Sequence, residues 1–130
     1  MSTYTTERNG IKRWYKNGKL HREDGPAKIW ADGRCEYRLN GKLHREDGPA
    51  KTWPNGSYMW YKNGKIHRDN GPAGYDAATN FIGYQVNGEF HREDGPAVEW
   101  GNGFKQWFIN GKKIKMTGGP VLGDTVHYFE

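Results

Sequence analysis

The fold is decided by Asn40-Gly41-Lys42-Leu43-His44-Arg45-Glu46-Asp47-Gly48-Pro49-Ala50. Asn-Gly favours a two-residue hairpin turn because both residues tolerate positive φ. The dipeptide recurs at Asn17, Asn63, Asn87 and Asn110, so successive asparagines lie 23, 23, 24 and 23 residues apart. An aromatic stands three residues before each: Trp14, Tyr37, Trp60, Tyr84 and Trp107. Leu20, Leu43, Ile66 and Phe90 stand three after the first four. The box His-Arg-Glu-Asp-Gly-Pro-Ala follows from His21, His44 and His91, and as His67-Arg68-Asp69-Asn70-Gly71-Pro72-Ala73. A second turn closes the unit at Asp32-Gly33, Asn55-Gly56 and Asn102-Gly103, and Asn9-Gly10 supplies it before the first.

A period in this range signals a repeat architecture. The proline near the end of each box suits the first residue of a strand, where a missing N–H matters least. No segment of helical length carries a 3.6-residue period. The expectation is all-β: an elongated antiparallel meander of about ten short strands, five β-hairpin repeats forming a single twisted sheet. One strand is expected over Arg34–Leu39 and another over Pro49–Trp53. The chain reads as one repeat domain, with an N-terminal cap over 1–8, repeats over 9–115 and a C-terminal cap over 116–130. The caps answer the need to cover open sheet edges.

The unit of aromatic-x-x-Asn-Gly-Lys, then His, then Asp-Gly, resembles MORN repeats over Asn9 to Lys115. It is most similar to their bacterial and phage variant with the His-Arg-Glu-Asp-Gly-Pro-Ala box, whose relatives are labelled YwqK-type antitoxins. The resemblance implies a twisted sheet that mediates binding and supplies no catalytic residues. Fold analogy alone leaves function open.

Composition agrees with a packed chain. Only 34% of residues are hydrophobic, yet 15% are aromatic, and disordered chains are poor in aromatics. Cys35 is the single cysteine, so no internal disulfide or cysteine-based zinc site is expected. Met1–Glu7 has no basic region leading into an apolar run, and no apolar stretch is long enough to span a membrane. The reading is a soluble, cytoplasmic protein, in the host cytoplasm if phage-encoded. The formal charge of +5 suits an acidic protein, a nucleic acid or an anionic lipid.

A histidine beside carboxylates and an arginine is the material of acid–base catalysis. Here the set occurs four times, whereas active sites are singular. Equivalent histidines two strands apart lie about 9.6 Å from each other, too far to share a metal. The box is therefore read as scaffold, with its arginines forked onto carboxylates or displayed as a ladder, and neither a metal nor a cofactor is expected. The aromatic row from Trp14 to Trp107 is read as the spine of the core, which leaves Tyr15, Tyr61 and Phe108 on the other face as contact residues. The repeat breaks in its third copy, where Gly74–Ile82 replaces the usual turn and contributes Tyr75, Asp76, Asn80 and Phe81. Lys112 and Lys113 stand where the fifth box is lost. Function is expected in a protein-binding module without catalysis, an inhibitor of a host toxin or defence factor. The alternatives are a nucleic-acid or nucleotide binder using exposed rings and lysines, and association with anionic lipid. A homodimer is compatible with an open sheet.

Overall fold

The computed structural model describes residues 3–118 and 126–128, and among them there is no helix. The fold is an all-β antiparallel meander, as the turn spacing predicts. It divides into two compact units, Met1–Lys65 and Ile66–Glu130.

The first unit holds β1 (Thr3–Thr6), β2 (Lys12–Lys16), β3 (Lys19–Leu20), β4 (Lys28–Ile29), β5 (Cys35–Glu36), β6 (Arg38–Leu39), β7 (Lys42–Leu43), β8 (Lys51–Thr52), β9 (Tyr58–Met59) and β10 (Tyr61–Lys62). Its sheet runs β1-β2-β4-β5-β8-β9, with β3 paired to β2 and β6 paired to β7 apart from the sheet. β11 (Lys65–Ile66) lies where the units meet in sequence. The second unit holds β12 (Gly74–Asp76), β13 (Phe81–Gly83), β14 (Gln85–Val86), β15 (Glu89–Phe90), β16 (Val98–Glu99), β17 (Lys105–Ile109), β18 (Lys112–Thr117) and β19 (Val126–Tyr128). Its sheet runs β12-β13-β16-β17-β18-β19, with β14 paired to β15 apart from it.

Strands are twice as fine as the sequence suggests, because the long strand of each middle repeat breaks at its aromatic. Tyr37 is the corner: its N–H donates to Ala50 O in the main sheet (2.7 Å), while its carbonyl accepts from His44 N across the Asn-Gly hairpin (3.0 Å). Tyr84 repeats this with Ala97 and His91. Each repeat is thus a small Asn-Gly hairpin branching from a ladder. The strand stays whole only in β2 and in β17, where a bulge at Trp107/Phe108 takes up the same bend.

The two turn classes differ. Both residues of the hairpin Asn-Gly pairs at Asn17, Asn40, Asn63, Asn87 and Asn110 have positive φ, as in Asn40 (50°) and Gly41 (82°). In the second class, Asn9-Gly10, Asp32-Gly33, Asn55-Gly56 and Asn102-Gly103, only the glycine does, so the same dipeptide makes a different turn there. There the Asp32 carboxylate accepts Arg34 N–H (3.0 Å), as Asn55 and Asn102 accept Ser57 and Phe104 N–H.

The fully buried residues are not the aromatic row Trp14, Tyr37, Trp60, Tyr84 and Trp107, each half-buried, but Ala27, Ala50, Ala73 and Ala97, each at 0% exposure. The reason is backbone crowding. Ala27 donates its N–H to Glu36 O (2.7 Å) and accepts Trp14 N–H (2.9 Å), which joins three strands at one residue. A larger side chain has no room there. At the ends, β1 covers the edge of β2 with Tyr4 on the Trp14 ring (4.6 Å between centroids), and β19 covers β18. The remainder of the expected C-terminal cap lies outside the described residues.

Candidate functional site

The box is a fastener. Each histidine accepts, at Nδ1, the N–H of the next repeat's turn asparagine: Asn40 on His21 (2.8 Å), Asn63 on His44 (3.0 Å), Asn87 on His67 (3.0 Å) and Asn110 on His91 (2.9 Å). Since Nδ1 accepts, Nε2 carries the ring proton. It donates to Glu46 (2.8 Å) and Asp69 (2.9 Å), and lies 3.4 Å from Glu23 and 3.6 Å from Glu93. The glycine after each asparagine donates to the preceding repeat as well, Gly41 to Leu20 O at 2.8 Å. Nδ1 is thus committed to joining repeats, while Nε2 faces a carboxylate of its own box.

The arginines are not the exposed ladder the sequence allows. Arg22, Arg45 and Arg92 lay their guanidinium groups over Trp14, Tyr37 and Tyr84 at 3.9–4.0 Å, the cation–π arrangement. Arg22 Nε donates to Asp24 (2.9 Å), and Nη1 of Arg22, Arg45, Arg68 and Arg92 donates to the carbonyl of each box proline (3.1–3.2 Å). The carboxylates are what solvent sees. The Arg22 hydrogen bond and its charge hold the Asp24 carboxyl below its usual value. Clefts of about 600 Å³ and 570 Å³ lie between successive boxes, one within each unit.

The third-copy break forms a defined structure in the second unit. Tyr75 pairs with Ile82, and Asp76 with Phe81. The Asp76 carboxylate accepts Ala78 N–H (3.1 Å) and Thr79 Oγ1–H (3.0 Å), and Tyr75 Oη–H donates to Asn80 (3.4 Å). Asn80 (φ 56°) occupies the left-handed position that glycine holds in the other copies. Two residues that sequence reasoning passed over complete the arrangement. Gly101 donates its N–H to Thr79 O (3.1 Å), and a Cβ on it would stand 2.6 Å from that oxygen. Trp100, 39% exposed, packs on Phe81 with centroids 4.6 Å apart. The signal was present: the other copies carry Ala31 and Pro54 where Gly101 stands.

The remaining candidates separate. Tyr15, Tyr61 and Phe108 are half-buried rather than displayed. Tyr61 and Phe108 carbonyls accept the N–H of Arg45 and Arg92 (3.1 Å each), and burial, with Glu36 nearby, pushes the Tyr61 hydroxyl pKa up. Phe108 packs on Phe90 (5.1 Å) and faces the Lys113 ammonium (5.9 Å), while Lys112 is exposed. Phe108, Lys112 and Lys113 therefore share the β17–β18 hairpin, apart from the β12–β13 group.

The first unit carries a charged row that the sequence hides. Arg13, Lys28, Glu36 and Lys51 are direct cross-strand neighbours and so share one face. Arg38 Nε donates to Glu36 (2.8 Å) and Lys51 Nζ lies 4.0 Å from it. Arg13 pairs with Glu7. Lys28 makes no ion pair among the described residues; its ammonium rests on Trp30 (4.3 Å). Burial, then the charge of Arg13, lowers its pKa.

No family model matches the chain, and no curated protein does.

Proposed function

We propose that the chain is a non-enzymatic, MORN-like protein-binding module of the cytoplasm, acting in a bacterium or phage to block a host toxin or defence factor. One observation carries the reading: the irregular Asp76–Phe81 turn is pinned from both sides, by Asp76 and by Gly101, beside the exposed Trp100. A fixed polar loop next to an exposed tryptophan has the make-up of a binding hot spot. Pinning lowers the entropy lost when a partner docks. The four repeated boxes, by contrast, have their histidine and arginine groups engaged in the scaffold.

The test is an affinity capture from bacterial lysate with the native chain and Trp100→Ala in parallel. The expected result is one stoichiometric partner held by the native chain, weakened at least tenfold by the substitution. A partner retained equally by Trp100→Ala and by Asn80→Ala would move the interface elsewhere. Capture of none would remove the reading.

A further inference from the structure

We propose that the first unit binds single-stranded nucleic acid across the face bearing Arg13, Lys28, Arg34, Arg38 and Lys51. This goes beyond the protein-binding reading and rests on different residues. Arg34 and Arg38 flank Glu36 two residues to either side on the same run of chain, and Arg13, Lys28 and Lys51 lie opposite it or one strand further. Five cations meet three carboxylates, Glu7, Asp32 and Glu36, leaving positive charge in a half-buried setting where it is poorly screened.

The internal comparison shows that the fold does not need this charge. The equivalent row of the second unit is Gly74, Gly83, Val98 and Gln106, without one charged group, on the same ladder. Cations that the scaffold dispenses with elsewhere, held partly desolvated, suit an anionic ligand. Two features sharpen this. Lys28 has no carboxylate partner among the described residues. Arg34 Nε is buried and lies 3.3 Å from Asp32 without the alignment for a hydrogen bond, so its N–H is unbonded.

The form of the site selects the ligand. A cavity on this face, lined by Trp30, Arg34, Glu36, Lys51 and Trp53 among others, holds about 50 Å³, too little for an enclosed nucleotide. The cations instead spread over four strands, roughly 14 Å at ordinary strand spacing, so a linear run of phosphates fits better than one phosphate group. Half-buried Trp30 and Trp53 rings stand beside the cations, the combination of groove charge and aromatic surface that single-strand binders use.

The experiment is a titration of the full chain with a fluorescent single-stranded oligonucleotide at 50 mM salt and above, against Lys28→Gln/Lys51→Gln and Lys112→Gln/Lys113→Gln. Binding should weaken steeply with salt. The first double variant should weaken it at least tenfold and reduce the salt slope by about 1.4, for two lost phosphate contacts on a single strand. The second should leave it within twofold, and oligonucleotide should quench tryptophan fluorescence in the native chain. Circular dichroism checks that both variants fold, and Lys28→Arg/Lys51→Arg, which keeps the charge, should restore binding if packing is not at issue. Absence of binding at 50 mM salt overturns the proposal. So does equal loss in the two double variants, or tripolyphosphate binding as tightly as the oligonucleotide.

Discussion

Met1–Lys65 and Ile66–Glu130 are built from the same box and the same Asn-Gly turns, yet the rows crossing their sheets differ in kind. Where the first unit places Glu36 among four cations of that row and its flanks, the second places Gly83, and two phenylalanine rings take the space: a Cβ on Gly83 would stand 3.2 Å from both Phe81 and Phe90. Leu43, smaller than Phe90, stands at the matching position of the first unit. The pair has changed together within one chain, charged side chain with leucine in one copy and glycine with phenylalanine in the other. What persists between copies is the set of hydrogen bonds made by His, Arg, Ala and Asn-Gly. That set is the scaffold, and the row beneath it is free to diverge.

Breaking the comparison at Gly83 should have the largest effect. Gly83→Glu drives a side chain into two rings and should cost about 2 kcal/mol, the range for overpacking. In a Phe90→Leu background the same change should cost about 1 kcal/mol less, a coupling that a double-mutant cycle measures. Additive costs would mean that the two positions are independent. The fastener sharpens the comparison next. His side-chain exposure rises along the chain, from 5% at His21 to 20% at His91. His21→Ala should therefore cost roughly 2 kcal/mol and His91→Ala nearer 1, as an orphaned N–H costs more when water cannot reach it. Denaturation midpoints read at constant slope give the order, and equal losses would count against the burial argument.

The smallest effect is one of pH. Arg22 holds the folded Asp24 carboxyl below its usual 3.8, so folding gains from its ionised form. That gain is complete above the unfolded value and fades as pH falls through the lower folded one. The stability gap between the native chain and Asp24→Asn should be constant above about pH 5 and close below pH 4. A gap that persists at pH 2 would assign the loss to packing instead.

Much of this was legible beforehand. The period located the hairpin turns, and Asn-Gly foretold positive φ at both residues of those at Asn17, Asn40, Asn63, Asn87 and Asn110, but not at Asn9, Asn55 and Asn102, where only the glycine takes it. The third-copy break marked Tyr75, Asp76, Asn80 and Phe81, which the structure brings into one hairpin. Gly101 and Trp100 were missed because they belong to a different repeat and reach the loop only through pairing of β13 with β16. Tyr15, Tyr61 and Phe108 were placed by strand alternation, which gives a face but not its cover: the strand turns its corner before Tyr61, and Phe108 is packed on Phe90.

By itself, then, the sequence determined the repeat, the turn chemistry and the all-β meander, since these follow from backbone preferences within a few residues. Only the tertiary structure decided that alanine and not tryptophan fills the centre, that the arginines lie under the carboxylates, and that one unit's sheet is charged where the other's is bare. Each of those depends on how strands and turns come together, which joins residues such as Trp14 and Arg22 or Glu36 and Lys51 that are well separated along the chain, and spacing alone does not encode which of two faces they share.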